Sequence, residues 1–548
     1  MKNRKAFIVL MAGVLSFSTL LSACSKKETL PAPSAAPSMA AAETQKPENS
    51  VVDFKGLNYK WYVHYDWATA IPWDNDLTGK WIIENKGVNV EWISSGGAAQ
   101  QKLNTMIVSS DLPDVITLDR GADLEKLVKS GQLVALDDYV NKYPNLKKWA
   151  GNTTLGMLRA SDGKLYGFPN WYQGDQGYGN TGWMISNKYY NALGKPKLET
   201  MDDLYAYLKK VKETYPDSIP FDGGAEFQGS KILYASFGEN KVHKFASDML
   251  GYPQDNEIKS IFTDPAYKDM VLFTSKLFRE KLVSQDAFTM KAEQADERMD
   301  RVAVGAHFDV ATKARNSHNG GVEEDPERSY SILFPPYKNG LDKSKIKTAP
   351  MSTLGWNVSV ITKNAKEPEK IFAFFDWATG VEGQQVLNFG PKGLYWDETD
   401  ADGIPMPNEK FKSTSPEELK KQSIGNLNWM ANSDWTTHAN QVRNDSMPKK
   451  PNAYDEAGAI DIFKKTTLNV TEFENILPAP DSEEGVAFQR VKDIEKEAYA
   501  KMVFAKNDEE VLQLLDKAQE DAIKAGYDKV LKVMTDKWQE NLKRIKNQ

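Results

Sequence analysis

The sequence predicts an α/β protein of two lobes, each a sheet covered by helices. Between residues 60 and 129, strand patterns alternate with helical patterns, an order typical of a parallel sheet with helices packed on it. The chain has 548 residues, which is more than one hydrophobic core usually serves, so two lobes are expected. Hydrophobic residues form 41% of the chain, which is enough for a folded core.

The early elements each have their own signal. Period-two alternation or a short apolar run predicts strands at 60–65, 88–93 and 113–118. Longer periodic segments predict helices at 77–85, 98–108 and 123–129. Ligands of such sheets bind beyond the carboxyl ends of the strands. Because Tyr65, Asp66 and Trp67 follow the first strand, we expect them near a ligand site.

Two helices are predicted at the carboxyl end of the chain. Asn507 followed by Glu510 has the spacing of a helix capping box, and an apolar stripe begins at Val511. Gly526 ends this helix, and a second apolar stripe continues to Ile545. We interpret both stripes as packing surfaces and not as membrane or cofactor surfaces.

The amino terminus has the organisation of a secretion signal. Three basic residues within 2–5 precede an apolar stretch at 6–21. The run Leu21-Ser22-Ala23-Cys24 contains the only cysteine of the chain and resembles a bacterial lipobox, whose cysteine is lipidated. Residues 1–23 are therefore expected to form a lipoprotein signal peptide. An ordinary secretory signal with a chance cysteine is the alternative.

The lipobox resemblance implies a location. The apolar stretch is too short to be a good permanent membrane span, and the mean hydropathy of the chain is -0.55. We expect a water-soluble body on the extracytoplasmic face of the cell membrane, attached through its lipid anchor only. Residues 25–50 combine Pro, Ala, Ser and charge without an apolar period, which predicts a flexible tether over 24–52.

The net charge and the spacing of the histidines argue against some classes of ligand and partner. The net charge is -7, and removal of residues 1–23, with three basic and no acidic residues, takes it to -10. This balance argues against nucleic acid. The five histidines have no metal-ligand spacing, so a zinc site is not expected, and we expect no cofactor.

One segment has the oxygen spacing of a calcium loop. Glu398, Asp400, Asp402 and Glu409 occupy the positions of carboxylate ligands, with Gly403 at the turn. Glutamate replaces the usual aspartate at the first position, and two prolines interrupt the segment. The alternative is a polar hairpin turn at Asp402-Gly403.

Aromatic residues in polar loops point to sugar recognition. The chain has 14 Trp and 22 Tyr, and many of them lie beside Asp, Asn or Gln. Their flat apolar faces can stack on sugar rings, while neighbouring polar groups bind hydroxyls. The alternative for each tryptophan is a position in the core.

Several longer segments occur in an order that carries a family resemblance. They are SSDLPDVITLD at 109–119, SGQLVALDDYV at 130–140, DGKLYGFPN at 162–170, RVAVGAHFD at 301–309, LGWNVSVITKN at 354–364 and the run from EPEKIF to GLYWD at 367–397. Together with Cys24 they resemble the large extracellular solute-binding lipoproteins of bacterial ABC importers for oligosaccharides. The resemblance covers nearly the whole mature chain.

The resemblance implies a two-lobed periplasmic-binding-protein-like fold whose cleft closes on a ligand. The N-terminal lobe would comprise 53–168 and 337–390, and the C-terminal lobe 169–336 and 391–548. The chain would cross between lobes near 167–169, 334–336 and 389–391, where Gly and Pro occur. Hinge closure would supply a second wall of hydrogen-bonding groups to a buried sugar. The implied partners of this non-catalytic, monomeric protein are a carbohydrate and the subunits of an ABC permease.

Candidate ligand-binding residues follow from the resemblance by position. Trp67, Trp171 and Trp356 are expected to be stacking platforms. Asp175, Asp309 and Asp434 are expected to accept hydrogen bonds from hydroxyls. The other candidates are Tyr65, Tyr172, His307, Asn357, Trp396, Trp429 and Trp435.

Two other functions remain open from the sequence. An extracellular glycoside hydrolase or lyase also lines its cleft with tryptophan and carboxylates, and a hydrolase needs two carboxylates about 5–10 Å apart. A surface adhesin for polysaccharides would present an open groove that does not close. The ordered set of family segments favours the binding protein.

Overall fold

The computed structural model describes residues 54–68, 73–160, 162–173, 177–422, 431, 435–436, 439, 442–443, 446 and 452–546. Of the residues singled out above, Cys24, the tether, Asp175, Trp429 and Asp434 lie outside these ranges. In the part of the chain that the structure describes, no helix is long and apolar enough to cross a membrane.

The described strands form two larger sheets and several short pairs. In chain order they are β1 Leu57–Val63, β2 Val88–Ile93, β3 Val115–Asp119, β4 Gly167–Asn170, β5 Gly182–Ser186, β6 Ile219–Asp222, β7 Gly251–Gln254, β8 Glu257–Ser260, β9 Val302–His307, β10 Tyr330–Leu333, β11 Ala349–Met351, β12 Asn357–Ile361, β13 Trp396–Thr399, β14 Pro405–Pro407 and β15 Thr467–Asn469.

Helices separate most of these strands, as the sequence predicts. They are α1 Leu77–Lys86, α2 Ala99–Ser109, α3 Ala122–Lys129, α4 Asp137–Lys142, α5 Pro144–Met157, α6 Asn187–Ala192, α7 Met201–Thr214, α8 His243–Ser247, α9 Pro265–Arg279, α10 Ala292–Glu297, α11 Val310–Glu324, α12 Pro368–Thr379, α13 Val381–Phe389, α14 Glu409–Ser413, α15 Pro416–Lys421, α16 Glu456–Thr466, α17 Glu483–Val503, α18 Asp508–Lys524 and α19 Tyr527–Lys546. The early elements lie within three residues of their predicted bounds.

The first lobe is built on a sheet with strand order β2-β1-β3-β12-β4. β1 is parallel to β2 and β3, whereas β12 runs antiparallel to β3 and β4. Apolar side chains cover both faces: Trp61 and Phe375 belong to one core cluster, and Ile116 and Val360 to another. Because both faces are buried, strands such as β3 are nearly continuous apolar runs.

The second lobe is built on a sheet with strand order β10-β5-β9-β6, in which β9 is parallel to β6 and antiparallel to β5. Its main core includes Trp183 and Phe221 and also the apolar stripes of α18 and α19. The Asn507 side chain accepts a hydrogen bond from the Glu510 amide at 2.9 Å, capping α18. The interpretation of the terminal stripes as packing surfaces is confirmed.

The segments that join the lobes are hydrogen-bonded to one another. Gln173 donates its amide to Thr353 O at 3.2 Å, and Thr348 Oγ1 donates to Thr181 O at 3.1 Å. A third segment adds to this hinge, because Thr353 donates its amide to Thr471 Oγ1 at 2.9 Å. β11 and β15 pair within it. The described crossings therefore run through 171–181 and 348–356.

These crossings lie later in the chain than the sequence indicated. β4 still pairs with β12 at Asn170, so the first crossing follows residue 170 instead of 167–169. The second comes at 348–356 instead of 334–336. Gly and Pro mark turns, but they do not show which sheet a strand joins.

Residues after Gly390 pack on the first lobe, although the sequence assigned 391–548 to the second. Trp396 and Ile404 share an apolar cluster with Phe389 of α13. Arg443 donates to Asn388 O at 2.9 Å. The chain returns to the second lobe before α16, whose apolar residues pack beside β5 and β9. The chain therefore stays on the first lobe after residues 389–391, where the third crossing was expected.

Candidate functional site

Three aromatic rings cluster at the carboxyl edge of the first sheet. The Tyr65 and Trp67 rings are stacked, with centroids 5.2 Å apart and planes 18° apart. The Trp356 ring lies 5.3 Å from Tyr65 and 6.4 Å from Trp67. We call Tyr65, Trp67 and Trp356 the aromatic shelf. The sequence predicted all three as ligand contacts, and the structure brings them together.

The two indoles of the shelf are open to solvent. Trp67 is 65% exposed and Trp356 is 44% exposed, whereas Tyr65 is 9% exposed and supports them from below. Large apolar side chains are usually covered in a monomer, and exposed aromatic faces mark binding surfaces. The shelf therefore offers two flat indole faces to a ligand.

A close backbone approach fixes the position of Trp356. The preceding residue, Gly355, has φ +70°, and a Cβ placed there would lie 2.1 Å from Asn170 O. Only glycine allows β4 and the start of β12 to approach this closely. Asn170 pairs with Asn357, so Trp171 and Trp356 occupy neighbouring positions in the antiparallel register.

Polar groups lie directly behind the shelf. The Tyr65 hydroxyl donates to Asp119 Oδ1 at 2.7 Å, and Asn357 pairs with Asp119 across β3 and β12. Burial, followed by the Asp119 contact, raises the pKa of Tyr65, and the nearby Asn357 amide opposes part of that rise. Neither amide atom of the fully buried Asn357 makes a hydrogen bond of ordinary geometry within the described residues.

Asp66 stays ionised between the two aromatic residues of the first loop. Its carboxylate accepts hydrogen bonds from Ser95 Oγ at 2.7 Å and from the Ala99 amide at 2.9 Å. These bonds, that of Ser95 foremost, lower the pKa of Asp66. The loop that presents Trp67 is thereby held against the start of α2.

Trp171 and Tyr172 have different surroundings. Trp171 is half-buried, has φ 58°, and its indole N–H has no hydrogen-bond acceptor among the described residues. Its position beside Trp356 fits the expected platform. Tyr172 is 1% exposed, belongs to the first-lobe core, and its hydroxyl pairs with Thr379 Oγ1 at 2.6 Å. Tyr172 is thus a packing residue in this structure.

The second sheet brings His307 and Asp309 to its own carboxyl edge. His307 ends β9, and its Nε2 lies 3.6 Å from Asp222 Oδ2 at the end of β6. Burial lowers the pKa of His307, although Asp222 opposes the change. Asp309 is exposed and accepts a hydrogen bond from Asn180 Nδ2 at 2.7 Å.

Two cavities open at this second edge. One of about 330 Å³ is lined by residues that include Gly224, Gln228, His307, Asp309 and Lys313. The other, of about 1150 Å³, shares Gln228 and Phe308 with the first and extends along α8 and α17. A drug-sized ligand site has about 300–1,000 Å³, so the pair has room for more than one sugar unit.

The two sheet edges adjoin the same hinge. β4 ends at Asn170 beside the shelf, and the chain then reaches Gly182, which pairs with His307. Residues 171–181 therefore connect the carboxyl edge of one sheet to that of the other. We refer to the shelf and the second-edge cavities as the first and second walls of the cleft expected between the two lobes.

Sequence reasoning missed a buried ion pair that joins the two walls. Arg120 follows Asp119 at the end of β3 and donates Nε–H to Gly355 O at 2.9 Å and Nη2–H to Glu474 Oε2 at 3.2 Å. Lys244 of α8 donates to Glu474 Oε1 at 2.6 Å. These three side chains are only 11–19% exposed. The only sequence signal was a charged residue directly after an apolar strand.

Burial opposes ionisation of Glu474, but the Lys244 and Arg120 cations hold the pKa of its carboxyl below the ordinary value. The residue contacts the backbone of the shelf loop through Arg120. The ion pair is therefore placed to couple the shelf to the second lobe.

Two of the candidate tryptophans are not in the cleft. Trp396 is 4% exposed and donates its indole N–H to Gly390 O at 2.9 Å, and Trp435 is 7% exposed. Both belong to one apolar cluster beside α13. They are core residues in this structure, because neighbouring aliphatic side chains cover their faces.

The calcium candidate forms a hairpin. β13 and β14 pair through Thr399 and Pro405, and Asp400 Oδ1 accepts hydrogen bonds from the amides of Asp402 and Ile404. Among the described residues, no three acidic, histidine or cysteine side chains are grouped so that they could hold a metal. This geometry favours the polar turn over a loop built on Glu398, Asp400, Asp402 and Glu409.

More than half of the sequence matches a known family model. The model for the bacterial extracellular solute-binding protein aligns with residues 80–385, more than half of the chain. This chain belongs to the bacterial extracellular solute-binding protein family. The matched range begins in α1 and ends in α13, so it includes Trp356, His307 and Asp309 but not the shelf residues Tyr65 and Trp67.

Individual relatives of this solute-binding protein cover parts of the chain. The fructooligosaccharide ABC transporter substrate-binding protein FusA of Streptococcus pneumoniae serotype 4 (strain ATCC BAA-334 / TIGR4) is 29% identical over 224 residues, 37% of this chain and 40% of FusA. The polygalacturonan/rhamnogalacturonan-binding protein YtcQ of Bacillus subtilis (strain 168) is 22% identical, over 58% of this chain and 62% of YtcQ. The chain thus spans less than two thirds of the length of these curated relatives.

Solved structures share the fold over most of the chain. The S. pneumoniae FusA in complex with kestose aligns with a TM-score of 0.65 and 20% identity, covering 88% of this chain and 99% of that one. The alginate-binding protein AlgQ2, solved without calcium ion, aligns with a TM-score of 0.60 and 20% identity, covering 88% and 98%. The predicted two-lobed periplasmic-binding-protein-like fold is confirmed.

Proposed function

We propose that this solute-binding protein captures an oligosaccharide in the cleft between its lobes and delivers it to an ABC permease. The observation that carries the proposal is the aromatic shelf, with two exposed indoles above buried polar groups. Sugar rings stack on such faces, and their hydroxyls pair with Asp, Asn and backbone groups. Relatives named for fructooligosaccharide and polygalacturonan binding support this class of ligand.

The proposed ligand-contact set is smaller than the sequence candidate set. Tyr65, Trp67, Trp356 and Trp171 would line the first wall. His307, Asp309 and Asn357 would supply hydrogen-bonding groups. Asp175, Trp429 and Asp434 stay candidates from sequence alone.

We propose that the protein binds without catalysis. Asp119 is engaged by Tyr65, and Asp66 is engaged by Ser95 and a backbone amide, so each first-wall carboxylate has a structural role. A hydrolase would need one carboxyl group free to donate a proton and another free to attack or activate water.

A thermal-shift screen against oligosaccharides of different linkage tests ligand class, because a ligand that binds only the native state raises the melting temperature. The expected result is a shift with some oligosaccharide and none with its constituent monosaccharide at equal concentration. The ligand found should then be recovered intact after incubation. New reducing ends would favour a hydrolase, and no shift with any glycan would remove the carbohydrate proposal.

We also propose that Cys24 carries the lipid anchor that holds the monomeric protein at the extracytoplasmic face of the membrane. Expression in a bacterial host should place the protein in the membrane fraction, and Cys24→Ser should release it. Mass spectrometry of the mature amino terminus should find acyl chains on Cys24. A soluble, unmodified wild-type protein would support the ordinary secretory signal instead.

A further inference from the structure

Carboxylates outnumber cations on both walls of the cleft, and the largely buried cations Arg120, Lys231 and Lys313 are already in ion pairs. We propose that the cleft selects an uncharged oligosaccharide and excludes glycans that carry carboxylate, sulfate or phosphate groups. The inference rests on the proposed carbohydrate function and adds the charge of the ligand. The charge of the ligand needs an argument of its own, because one relative is named for neutral fructooligosaccharides and another for the acidic polygalacturonan.

The second wall has more acids than bases around the smaller cavity. Asp296, Asp309 and Lys313 line the cavity, and Asp222 lies behind it against His307. Lys313 forms an ion pair with Asp296, so its charge is already balanced. Among the described residues, His307 is the only titratable base within ion-pair distance of Asp222, and Asp309 has none. At longer range Arg315 acts on Asp309, and Arg298 and Lys313 act on Asp222. An anion entering this cavity would meet net negative charge.

His307 does not supply that positive charge. Its Nε2 is buried and has no hydrogen-bond partner within the described residues. Burial favours the uncharged imidazole, which can donate or accept one hydrogen bond but attracts an anion only weakly.

Acidic side chains also lie beside the shelf on the first wall. Asp66 and Asp119 flank the shelf, and Arg120 directly follows Asp119 in the chain. Arg120 donates two of its five N–H groups to Gly355 O and Glu474 and is only 11% exposed, so it presents little surface to a ligand anion. The buried Asn357 amide offers both a donor and an acceptor there.

The larger cavity does not reverse the balance. Its buried cation, Lys231, forms an ion pair with Glu495 and lies 3.7 Å from the centroid of the Tyr499 ring. Among the lining residues, Glu226 and Glu497 pair with Lys291 and Lys501, which lie outside the lining. Lys492 and Lys496 then stand beside Asp248 and Asp493, so the charges of this cavity balance. The discrimination against anions is therefore assigned to the smaller cavity and the first wall.

The first experiment uses matched sugars. The tightest uncharged oligosaccharide from the screen is compared, by titration calorimetry, with the same oligosaccharide after oxidation of its primary hydroxyls to carboxylates. We expect the oxidised sugar to bind at least about tenfold more weakly at low salt, and the ratio to shrink as salt screens the charges. An oxidised sugar that binds as tightly, or a screen whose tightest ligand is anionic, overturns the inference. No binding of any glycan overturns the proposed function itself.

A variant pair assigns the discrimination to the cleft. Asp309→Asn should reduce the ratio between the two sugars by about threefold or more, because one of the repelling charges is removed. Asp536→Asn, which removes an exposed charge on α19, should leave the ratio unchanged. An equal effect of the two substitutions would attribute the discrimination to overall charge and would overturn the assignment to the cleft.

A second experiment needs no sugar. Trp67 is 65% exposed beside Asp66, so its fluorescence reports the local potential. The emission of Trp67 is the difference between the spectra of the wild type and of Trp67→Phe. Its quenching by caesium and by iodide is measured, each as a ratio to the quenching of free N-acetyltryptophanamide. We expect the ratio for caesium to be about twofold larger than that for iodide, because a negative wall attracts the cation. Stronger quenching by iodide would overturn the inference even if a carbohydrate ligand is found.

Discussion

Trp67 combines high exposure with fixed geometry. It stacks on Tyr65, whose hydroxyl is tied to Asp119, so the indole is held while 65% of it stays exposed. A platform that is already ordered loses little side-chain entropy when a ligand binds. The contribution of this residue should therefore appear in binding and not in folding.

Trp67→Ala should lower ligand affinity by about 1–3 kcal/mol, the scale of one large aromatic contact. The free energy of unfolding should change by less than about 0.5 kcal/mol, because little of the indole is buried. Titration calorimetry and urea unfolding measure the two effects. Val108→Ala, at an 88% exposed site on α2, should change neither quantity. Unchanged affinity in Trp67→Ala would remove the residue from the site.

At the scale of elements, a buried carboxylate joins α12 to α5. Asp376 accepts hydrogen bonds from the amides of Leu146 at 2.7 Å and Asn145 at 3.2 Å, at the N-terminus of α5. Burial raises the pKa of Asp376 to about 6, although these bonds oppose the rise. The native state thus binds this proton more tightly than the unfolded chain, where the pKa is about 3.9.

The direction in which stability changes with pH follows from the difference between the native and the unfolded pKa of Asp376. The contribution of Asp376 to stability is complete below pH 4 and is lost as the pH rises through 6. The free energy of unfolding of Asp376→Asn relative to wild type should therefore rise by about 2 kcal/mol between pH 4 and pH 7. Urea unfolding at both pH values measures it. Asp461→Asn, at an exposed site on α16, should show no such change, and a pH-independent difference for Asp376→Asn would contradict the linkage argument.

A second prediction at the scale of elements concerns Glu474, whose carboxylate binds Arg120 and Lys244 between the lobes. Glu474→Gln would leave Arg120 and Lys244 as largely buried cations without their shared carboxylate. Removing one partner of a buried pair costs about 3–5 kcal/mol, so the free energy of unfolding should fall by that amount. Denaturant unfolding measures the loss. The exposed pair broken by Asp461→Asn should cost less than about 1 kcal/mol. Equal costs would mean that the buried pair is solvated.

On the scale of the whole molecule, segments that are hydrogen-bonded near 173, 181, 353 and 471 join the two sheets. The Arg120–Glu474 pair and the packing of α19 on α5 also link the lobes. Lobes joined in this way can rotate as rigid bodies about element ends. A ligand that touches both walls stabilises the closed arrangement by its differential affinity for it.

Small-angle X-ray scattering should therefore show a smaller radius of gyration when the ligand found in the screen is added. Trp67→Ala at a ligand concentration that saturates it should show the same decrease, because closure depends on occupancy and not on this one contact. An unchanged radius at saturation would favour the open groove of an adhesin over a closing cleft.

The sequence anticipated the elements better than their assembly. The strands and helices between residues 57 and 129 agree with their predicted bounds, because each has a local period and its own end signals. The crossings were misplaced, because Gly and Pro mark turns without showing the sheet to which the next strand adds. The segment after Gly390 was assigned to the wrong lobe for the same reason.

Among the candidate site residues, too, the sequence predicted some positions correctly and could not decide which side chains are buried. Tyr65, Trp67 and Trp356 were predicted from a loop after a strand and from family order, and their rings meet. Trp396 and Trp435 have similar polar neighbours in the sequence but are buried in a core cluster. Local sequence cannot separate these cases, because exposure depends on what packs above the ring.

The amino-acid sequence by itself determined the α/β class, the strand and helix positions, the acidic balance and the presence of aromatic residues in polar loops, since these are properties of short segments and of composition. The tertiary structure alone decided which indoles are exposed, that Arg120 meets Glu474, and that carboxylates line both walls of the cleft. The contacts of Trp67 with Trp356 and of Arg120 with Glu474 join residues more than two hundred positions apart, and no local pattern encodes such contacts.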